Sequence, residues 1–312
     1  MAEATSKPIV ARWARFAIVA VALFELISPW AISASIPTEP QWREATDFVR
    51  SGFEPGDRIV ATPRWTSPLV RAELGDLLTL RTASEDDLAG ASRLWEVSIR
   101  AHSARTDEPA VEAHFGGVRV RRWPVSTDAL VFDFVEQVAN AEVTWVDGDE
   151  VRFCAWRDAP PARGGLGRGP LAPAGRFVCD RRQPWLWVGA TVAADLELLP
   201  RRCVWQHPAG TEPVRTRFEH VPLGDTLVVE GALDYNNDRR EGRSPVLLRV
   251  FIDGRLAGEL RHRDRTGWTR LEIDTSRFAG SGREVRFETT TPNPAARTFC
   301  WSASTRNRQV ER

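Results

Sequence analysis

The chain has 312 residues, 42% of them hydrophobic, and its 42 basic and 42 acidic side chains leave a formal net charge of zero. This length and apolar content are enough to bury a sizeable core, and they suggest two folded domains after an N-terminal leader. Because there is no excess of positive charge, the composition gives no indication of nucleic-acid binding.

The first predicted element is a hydrophobic segment at residues 16–36. Sixteen of its 21 residues are apolar, and a helix of this length, rising about 1.5 Å per residue, spans a bilayer core of roughly 30 Å. Three basic residues precede it, and the next basic residue is Arg43. The positive-inside rule therefore predicts a cytoplasmic N-terminus at residues 1–15 and export of the remaining chain.

Glu25 interrupts this segment and leaves two interpretations of it open. A carboxylate in the middle of a bilayer costs about 2.5–3.5 kcal/mol, so Glu25 is either a tolerated defect or faces a partner helix. The nine apolar residues before it also match the core of a cleaved signal peptide, with small-residue cleavage sites at 31–33 or 33–35. Both interpretations place the bulk of the chain in the bacterial periplasm or outside the cell, with the membrane contacted through residues 16–36.

Residues 38–100 alternate between helix and strand patterns. A capping-box sequence from Thr38 to Gln41 starts a helix that Gly52 ends, and Ser67 caps a second helix. This alternation predicts a small α/β domain with a mostly parallel sheet. The remaining elements are strands at residues 58–62, 77–81 and 94–100 and a short helix that starts at Ser84.

The pattern is less regular in residues 109–200, where we place the second half of an α/β domain covering residues 37–200. Gly116-Gly117 and Asp147-Gly148 are turn sequences between strand patterns and predict two hairpins. Residues 131–138 fit either a helix or a strand. Residues 158–175 are rich in proline and glycine and predict a loop.

Four cysteines, all on the exported side, predict disulfides. None lies in a Cys-x-x-Cys motif, and an even number of cysteines in an oxidising compartment is typical of disulfide bonds. Three pairings satisfy the sequence. We favour Cys154–Cys179, which closes the loop at 158–175, and Cys203–Cys300, which ties the two ends of the last domain, each contributing about 2–4 kcal/mol.

After residue 200 the pattern changes to short strands separated by turns. Eight such runs without a helix pattern predict a β-sandwich of the jelly-roll type over residues 201–312. The expected fold class is thus α+β overall, with an N-terminal transmembrane helix, a small α/β domain and a C-terminal all-β sandwich. The runs are residues 203–207, 214–221, 226–235, 245–252, 256–262, 268–273, 284–290 and 298–303.

Two stretches resemble known families. Residues 41–45, Gln-Trp-Arg-Glu-Ala, and residues 55–63, Pro-Gly-Asp-Arg-Ile-Val-Ala-Thr-Pro, resemble the extracytoplasmic tail of multi-spanning glycosyltransferases of the protein-mannosyltransferase type. That resemblance covers about 40 residues and implies an α/β tail without the family's catalytic acidic residue. The strand rhythm of residues 203–305 is similar to the galactose-binding-like jelly rolls of carbohydrate-binding modules, and it carries no ligand residue.

The candidate ligand-binding residues are aromatic. The chain has 13 tryptophans, and flat aromatic rings serve as stacking surfaces for sugars, although tryptophan also fills cores because it buries a large apolar area. On the predicted sandwich strands and their connecting loops, the candidates are Trp205, Trp268, Trp301 and Tyr235.

Asp234, Asn236 and Asp238 form the best cluster of oxygen ligands. Hard oxygen ligands in a loop suit Ca²⁺, but the spacing and glycine of an EF-hand are absent, and an ordinary polar turn has the same composition. No other cofactor is indicated. The five histidines match neither a metal-binding motif nor a catalytic triad.

Three function classes follow from these observations. The leading hypothesis is a non-enzymatic, membrane-tethered extracytoplasmic protein whose sandwich binds a glycan or an envelope protein. The second is an accessory or remnant subunit of a polytopic membrane glycosyltransferase. The third is a carbohydrate-active enzyme, which requires two carboxylates about 5–10 Å apart across a cleft; the sequence contains many acids but does not pair them.

Overall fold

The computed structural model describes residues 7–34, 36–78, 87–158 and 173–309. Its helices are α1 (Lys7–Ala34), α2 (Glu39–Gly52), α3 (Ser67–Leu74) and the single turn α4 (Tyr235–Asp238). The strands before residue 200 are β1 (Asp57–Thr62), β2 (Arg93–Ile99), β3 (Val111–Phe115), β4 (Val118–Pro124), β5 (Ala129–Asp133), β6 (Glu142–Asp147), β7 (Glu150–Phe153), β8 (Ala155–Asp158), β9 (Gly175–Val178) and β10 (Trp187–Ala194). The later strands are β11 (Pro200–Gln206), β12 (Val214–Pro222), β13 (Thr226–Leu233), β14 (Val246–Ile252), β15 (Arg255–His262), β16 (Thr269–Asp274), β17 (Gly282–Thr290) and β18 (Phe299–Asn307).

Helix α1 covers most of the hydrophobic N-terminal segment. It is 28 residues long, and the described apolar side chains between Phe16 and Ile27 are exposed. Among the residues that the structure describes, no helix has the length and apolarity needed to cross a membrane. The transmembrane helix predicted at residues 16–36 therefore gains no support from the fold.

The α/β domain consists of a four-stranded sheet with α2 and α3 packed on one face. The sheet order is β1-β2-β4-β3, and Trp42, Val49, Val70 and Leu74 of the helices are buried in the same cluster as Trp95 of the sheet. Helix α2 starts as the sequence predicts, whereas α3 includes the predicted cap Ser67 as its first residue and has Thr66 at the N-cap position. The Gln41 side chain accepts a hydrogen bond from the backbone N–H of Thr38 at 3.0 Å, which completes the capping box.

The expectation of a mostly parallel sheet is wrong. Among the strands that the structure describes, only the β1–β2 pair of this sheet is parallel, whereas β2–β4 and β3–β4 are antiparallel. A parallel pair needs a crossover connection, which α3 supplies between β1 and β2. The tight turn at Gly116-Gly117 reverses the chain directly instead, so β3 and β4 form the predicted antiparallel hairpin.

The rest of the chain forms a β-sandwich of two antiparallel sheets. The eight-stranded sheet has the order β16-β13-β18-β11-β10-β9-β8, with β5 also paired to β18. The six-stranded sheet has the order β15-β14-β17-β12-β6-β7. Side chains from both sheets interlock in one core, in which Phe134, Phe218, Phe287 and Trp301 are buried and three neighbouring ring pairs lie 4.1–5.0 Å apart.

The sandwich begins well before the domain boundary predicted at residue 200. Strand β6 pairs with β12, and β10 pairs with β11 across that boundary. The α/β domain described here instead ends with β4, near residue 125. The physical reason is that strands acquire their neighbours through long-range pairing, which a local change in sequence pattern does not reveal.

The eight strands predicted after residue 200 are confirmed, as is the hairpin β6–β7. The ambiguous stretch at residues 131–138 is the end of β5 followed by a turn and a short 3₁₀ helix. The predicted strand at 77–81 and the helix starting at Ser84 fall largely outside the described residues, and so does most of the loop at 158–175.

Both predicted disulfides are confirmed. Cys154 bonds to Cys179, and Cys203 bonds to Cys300. The second bond joins neighbouring strands, because β11 pairs with β18 in a register that places Trp205 opposite Cys300. Closing loops of chain in this way restricts the unfolded state more than the folded one.

We expect removal of the Cys203–Cys300 bond to be the more damaging of the two. It closes 97 residues against 25 for Cys154–Cys179, which predicts losses in unfolding free energy of about 4.7 and about 3.5 kcal/mol from loop entropy. Urea denaturation of the C203A/C300A and C154A/C179A double variants measures both losses. An equal or reversed order contradicts the expectation.

Candidate functional site

The outer face of the eight-stranded sheet is polar at its centre. Because side chains alternate along a strand, Phe299 and Trp301 of β18 point into the core, and Ser302, Ser304 and Arg306 point outward. The neighbouring strand β13 places Glu230 opposite Ser302, on the same outer face. Two strands therefore supply a floor of small hydroxyl and charged groups.

This floor belongs to a groove with a volume of about 480 Å³ that lies between the sandwich and the α/β domain. Strands β5, β11, β13 and β18 contribute to its floor and sides. The α/β domain contributes Arg58 of β1, Arg64 just after β1, and Asp87 from the segment before β2. The site thus requires both domains.

Asp87 ties the α/β domain to the floor of the groove. Its carboxylate is 2.8 Å from an Arg270 guanidinium nitrogen and 2.7 Å from one of Arg306. Burial opposes ionisation of this carboxyl, but hydrogen bonds from Arg306 and Arg270 outweigh it and lower the pKa of Asp87 to about 2. Asp87 is therefore a carboxylate at neutral pH and holds two guanidinium groups in place.

Other charged groups of the groove are also held in pairs of opposite sign. One of these pairs crosses from the α/β domain to the loop between β10 and β11, and the others lie within the sandwich. Guanidinium–carboxylate pairs hold both partners in defined orientations. The pairs are Arg64 with Glu197 at 3.3 Å, Arg201 with Asp195 at 2.9 Å and Arg202 with Asp133 at 3.0 Å.

Trp268 is the aromatic residue of the groove. It is half-buried and packs against an apolar cluster of the outer face that includes Trp187, Trp205 and the Cys203–Cys300 bond. The Arg201 guanidinium lies 6.0 Å from its ring centroid. The structure thus combines an aromatic ring, hydroxyl groups and charged pairs in one concave surface, a combination suited to binding a polar ligand.

A buried carboxylate positions the loop that carries Trp268. Asp238 of α4 accepts hydrogen bonds from the backbone N–H groups of Arg265 and Gly267 at 3.1 and 2.9 Å. Its Oδ1 also lies 2.8 Å from Nε2 of His262, and both side chains are fully buried. These bonds fix the loop immediately before Trp268 and leave little freedom in the position of the ring.

Of the four predicted ligand residues, the structure places only Trp268 in the groove. Trp301 is fully buried, donates from Nε1 to Gln206 at 2.9 Å and stacks on Phe287. Trp205 is 3% exposed and stacks on Trp187 at 5.2 Å. Trp301 thus lies in the sandwich core and Trp205 in the covered apolar cluster of the outer face, and neither presents a free ring face to a ligand.

Tyr235 lies outside the groove, half-buried beside the Arg239 guanidinium, which is 4.9 Å from its ring centroid.

The predicted calcium ligands Asp234, Asn236 and Asp238 make hydrogen bonds within the protein. Asp234 caps α4 through the backbone and side-chain N–H groups of Asn237. Asp238 turns toward His262, and the backbone carbonyl of Asn236 accepts from Arg240. Within the described ranges, no three His, Cys, Asp or Glu side chains converge on a metal position.

Sequence reasoning missed most of the groove. Alternation along residues 299–306, with small polar residues between buried apolar ones, is a local signal that could have identified Ser302 and Ser304 as an outward polar row. No local signal identifies Asp87, because its partners Arg270 and Arg306 lie about two thirds of the chain away.

Comparisons with known proteins address the fold alone. No protein-family model and no curated protein matches the chain. Solved structures that resemble it are mainly carbohydrate-binding modules. The CBM51-2 and INT domains of Clostridium perfringens ZmpB share 14% identity over 53% of this chain and 36% of that one, with a TM-score of 0.30. CBM51 of Clostridium perfringens GH95 with methyl-galactose shares 9% identity over 34% of this chain and 68% of that one (TM-score 0.25), and the mannan-recognising TmCBM27 shares 13% identity over 59% of this chain and 100% of that one (TM-score 0.29). The chain spans about a third of the ZmpB structure. At these identities and TM-scores we draw no functional argument from the likeness, and nothing in it bears on the mannosyltransferase resemblance.

We expect Asp238→Ala to destabilise the protein by about 3–5 kcal/mol, because it leaves His262 and the backbone N–H groups of Arg265 and Gly267 without their acceptor. Urea denaturation measures the loss of unfolding free energy. Glu259→Ala, which removes an exposed partner of Arg249, is the control and should change stability by less than about 0.5 kcal/mol. Equal midpoints for both variants contradict this role of Asp238.

The Asp87 pairs predict an acid-dependent loss of stability. The folded-state pKa of about 2 lies below the ordinary 3.8, so the stabilisation is complete above about pH 5 and is lost as the pH falls toward 2, amounting to about 2 kcal/mol. We expect the unfolding free energy of wild type to exceed that of Asp87→Asn by this amount at pH 6. The difference between the two should shrink below pH 4. Urea unfolding from pH 6 to pH 2.5 measures it; a difference independent of pH contradicts the assignment.

Another acid-sensitive group, His207, titrates in a different range. Burial lowers the pKa of His207 from 6.5 to about 4. Because the unfolded chain takes up this proton first, the free energy of unfolding decreases as the pH falls from about 6.5 to about 4. This loss occurs equally in wild type and in Asp87→Asn, and it therefore cancels in the difference between them.

Proposed function

We propose that this chain is an extracytoplasmic protein that binds a glycan in the groove between its α/β domain and its β-sandwich. The observation that carries the proposal is the chemistry of that groove, in which the Trp268 ring, the Ser302 and Ser304 hydroxyls and guanidinium–carboxylate pairs share one concave surface. We propose the groove as a binding site and not as a centre of catalysis.

A sugar matches these groups in two ways. Its hydroxyl groups both donate and accept hydrogen bonds, so carboxylates and guanidinium groups fixed in pairs satisfy them together. Its C–H faces are apolar and suit an aromatic ring such as Trp268, which buries a large area at a small cost in side-chain freedom. A volume of about 480 Å³ is within the range of small-molecule sites.

The charge state of Asp87 supports binding over hydrolysis at that position. Glycoside hydrolysis needs a carboxyl group that stays protonated to act as the general acid. Asp87 is held ionised by Arg270 and Arg306, which lower its pKa to about 2. Asp234 is a carboxyl whose pKa burial raises, but it caps α4 and lies outside the groove.

Export and tethering are a second part of the proposal. Two disulfides support an oxidising compartment such as the periplasm. The basic residues before the hydrophobic N-terminal segment support export of the chain that follows it. We propose that this segment acts as a signal or anchor at the bacterial inner membrane.

The test is a glycan array probed with the full-length chain in mild detergent. We expect binding to a subset of glycans and at least a tenfold loss of affinity, about 1.4 kcal/mol, for Trp268→Ala. Trp156→Ala is the matched control, since Trp156 is 39% exposed on β8, away from the groove. Absence of binding to any glycan overturns the proposal. Co-purification of a polytopic glycosyltransferase with the chain would then favour the accessory-subunit alternative.

A further inference from the structure

The charges that line the groove balance. The arginines are Arg58, Arg64, Arg201, Arg202 and Arg306, and the acids are Asp87, Asp133, Asp195, Glu197 and Glu230. With five groups of each sign, the described part of the lining carries no net charge at neutral pH. From this balance we infer that the groove selects uncharged, hydroxyl-rich glycans over glycans that carry uronate, sulfate or phosphate groups. The inference rests on the proposed function and names the ligand class of the same site.

The charges of the groove also balance between neighbouring side chains. Contacts of 3.3 Å or less join Arg64 to Glu197, Arg201 to Asp195 and Arg202 to Asp133. Asp87 bridges Arg306 and Arg270, and Arg270 also lies 3.2 Å from Glu230 on the floor. Among the described residues of the groove, these arginines and acids therefore lie in close pairs of opposite sign, which weakens the long-range attraction of a charged ligand.

This arrangement penalises an acidic ligand. A carboxylate or sulfate entering the groove loses hydration. Four of the guanidinium groups that it can reach, those of Arg64, Arg201, Arg202 and Arg306, already have a protein carboxylate within 3.3 Å. The ligand charge also approaches acids such as Asp195 and Glu230, which repel it. A neutral sugar loses no ionic hydration, and its hydroxyl groups donate to the carboxylates and accept from the guanidinium groups without separating the pairs.

The test uses oligosaccharide pairs that differ only at C6, with a hydroxymethyl group in one member and a carboxylate in the other: glucose and glucuronate, galactose and galacturonate, mannose and mannuronate. We expect the full-length wild type to prefer the neutral member at least tenfold in calorimetric titration. Because no net charge is involved, the affinity should change less than twofold between 50 and 300 mM NaCl.

Conservative substitutions that remove negative charge should change this selectivity. Glu197→Gln together with Glu230→Gln gives the groove an excess of two positive charges, while Arg270 keeps Asp87 and Glu272 as partners. We expect the ratio of the affinities for the neutral and the uronate member to fall at least tenfold relative to wild type. The affinity of the double variant for the uronate should also decrease as the salt concentration rises. Glu259→Gln, which pairs with Arg249 on the six-stranded sheet, is the control and should retain the wild-type preference.

The outcomes separate the inference from the proposed function. If wild type prefers the uronate members and loses affinity with salt, the inference is overturned and glycan binding stands. If the double variant keeps the wild-type preference, the charge balance does not set selectivity and the inference is also overturned. If no neutral or acidic glycan binds, the proposed function fails and the inference fails with it.

Discussion

The structure depends on the central position of strand β18 in the eight-stranded sheet. It pairs with β13 along one edge and with β11 and β5 along the other. Side-chain alternation then gives this one strand two roles, since Phe299 and Trp301 fill the sandwich core and Ser302 and Ser304 form the floor of the groove. The disulfide at Cys300 fixes the strand to β11. Core packing and the geometry of the groove are therefore set by the same hydrogen-bonded register.

The α/β domain completes the groove instead of standing apart from it. Asp87 reaches the sandwich arginines, and Arg64 reaches Glu197. Partly buried pairs of this kind add modest stability, because desolvation offsets most of the attraction, but they define orientation well. Their contribution here is to hold two domains in the arrangement that gives the groove its shape and its paired charges.

Local signals in the sequence predicted a large part of the fold. The capping box before α2, the turn at Gly116-Gly117 and the eight strands of the sandwich each depend on residues close together in the chain, and the structure confirms them. The parallel sheet and the boundary at residue 200 depended on which distant strands pair. In those two places the structure differs from the prediction, since pairing partners are chosen by the packing of the whole domain.

The sequence by itself determined the β-rich second half and the presence of many large aromatic side chains, and it favoured the cysteine pairing that the structure shows. Only the tertiary structure decided which of those rings is accessible: Trp301 is buried in the sandwich core, Trp205 is covered within the outer-face cluster, and Trp268 lies in the groove. It also brought Asp87 to Arg270 across 183 positions of the chain. Exposure and charge pairing are properties of surfaces made by distant segments, so they exist only once the chain has packed.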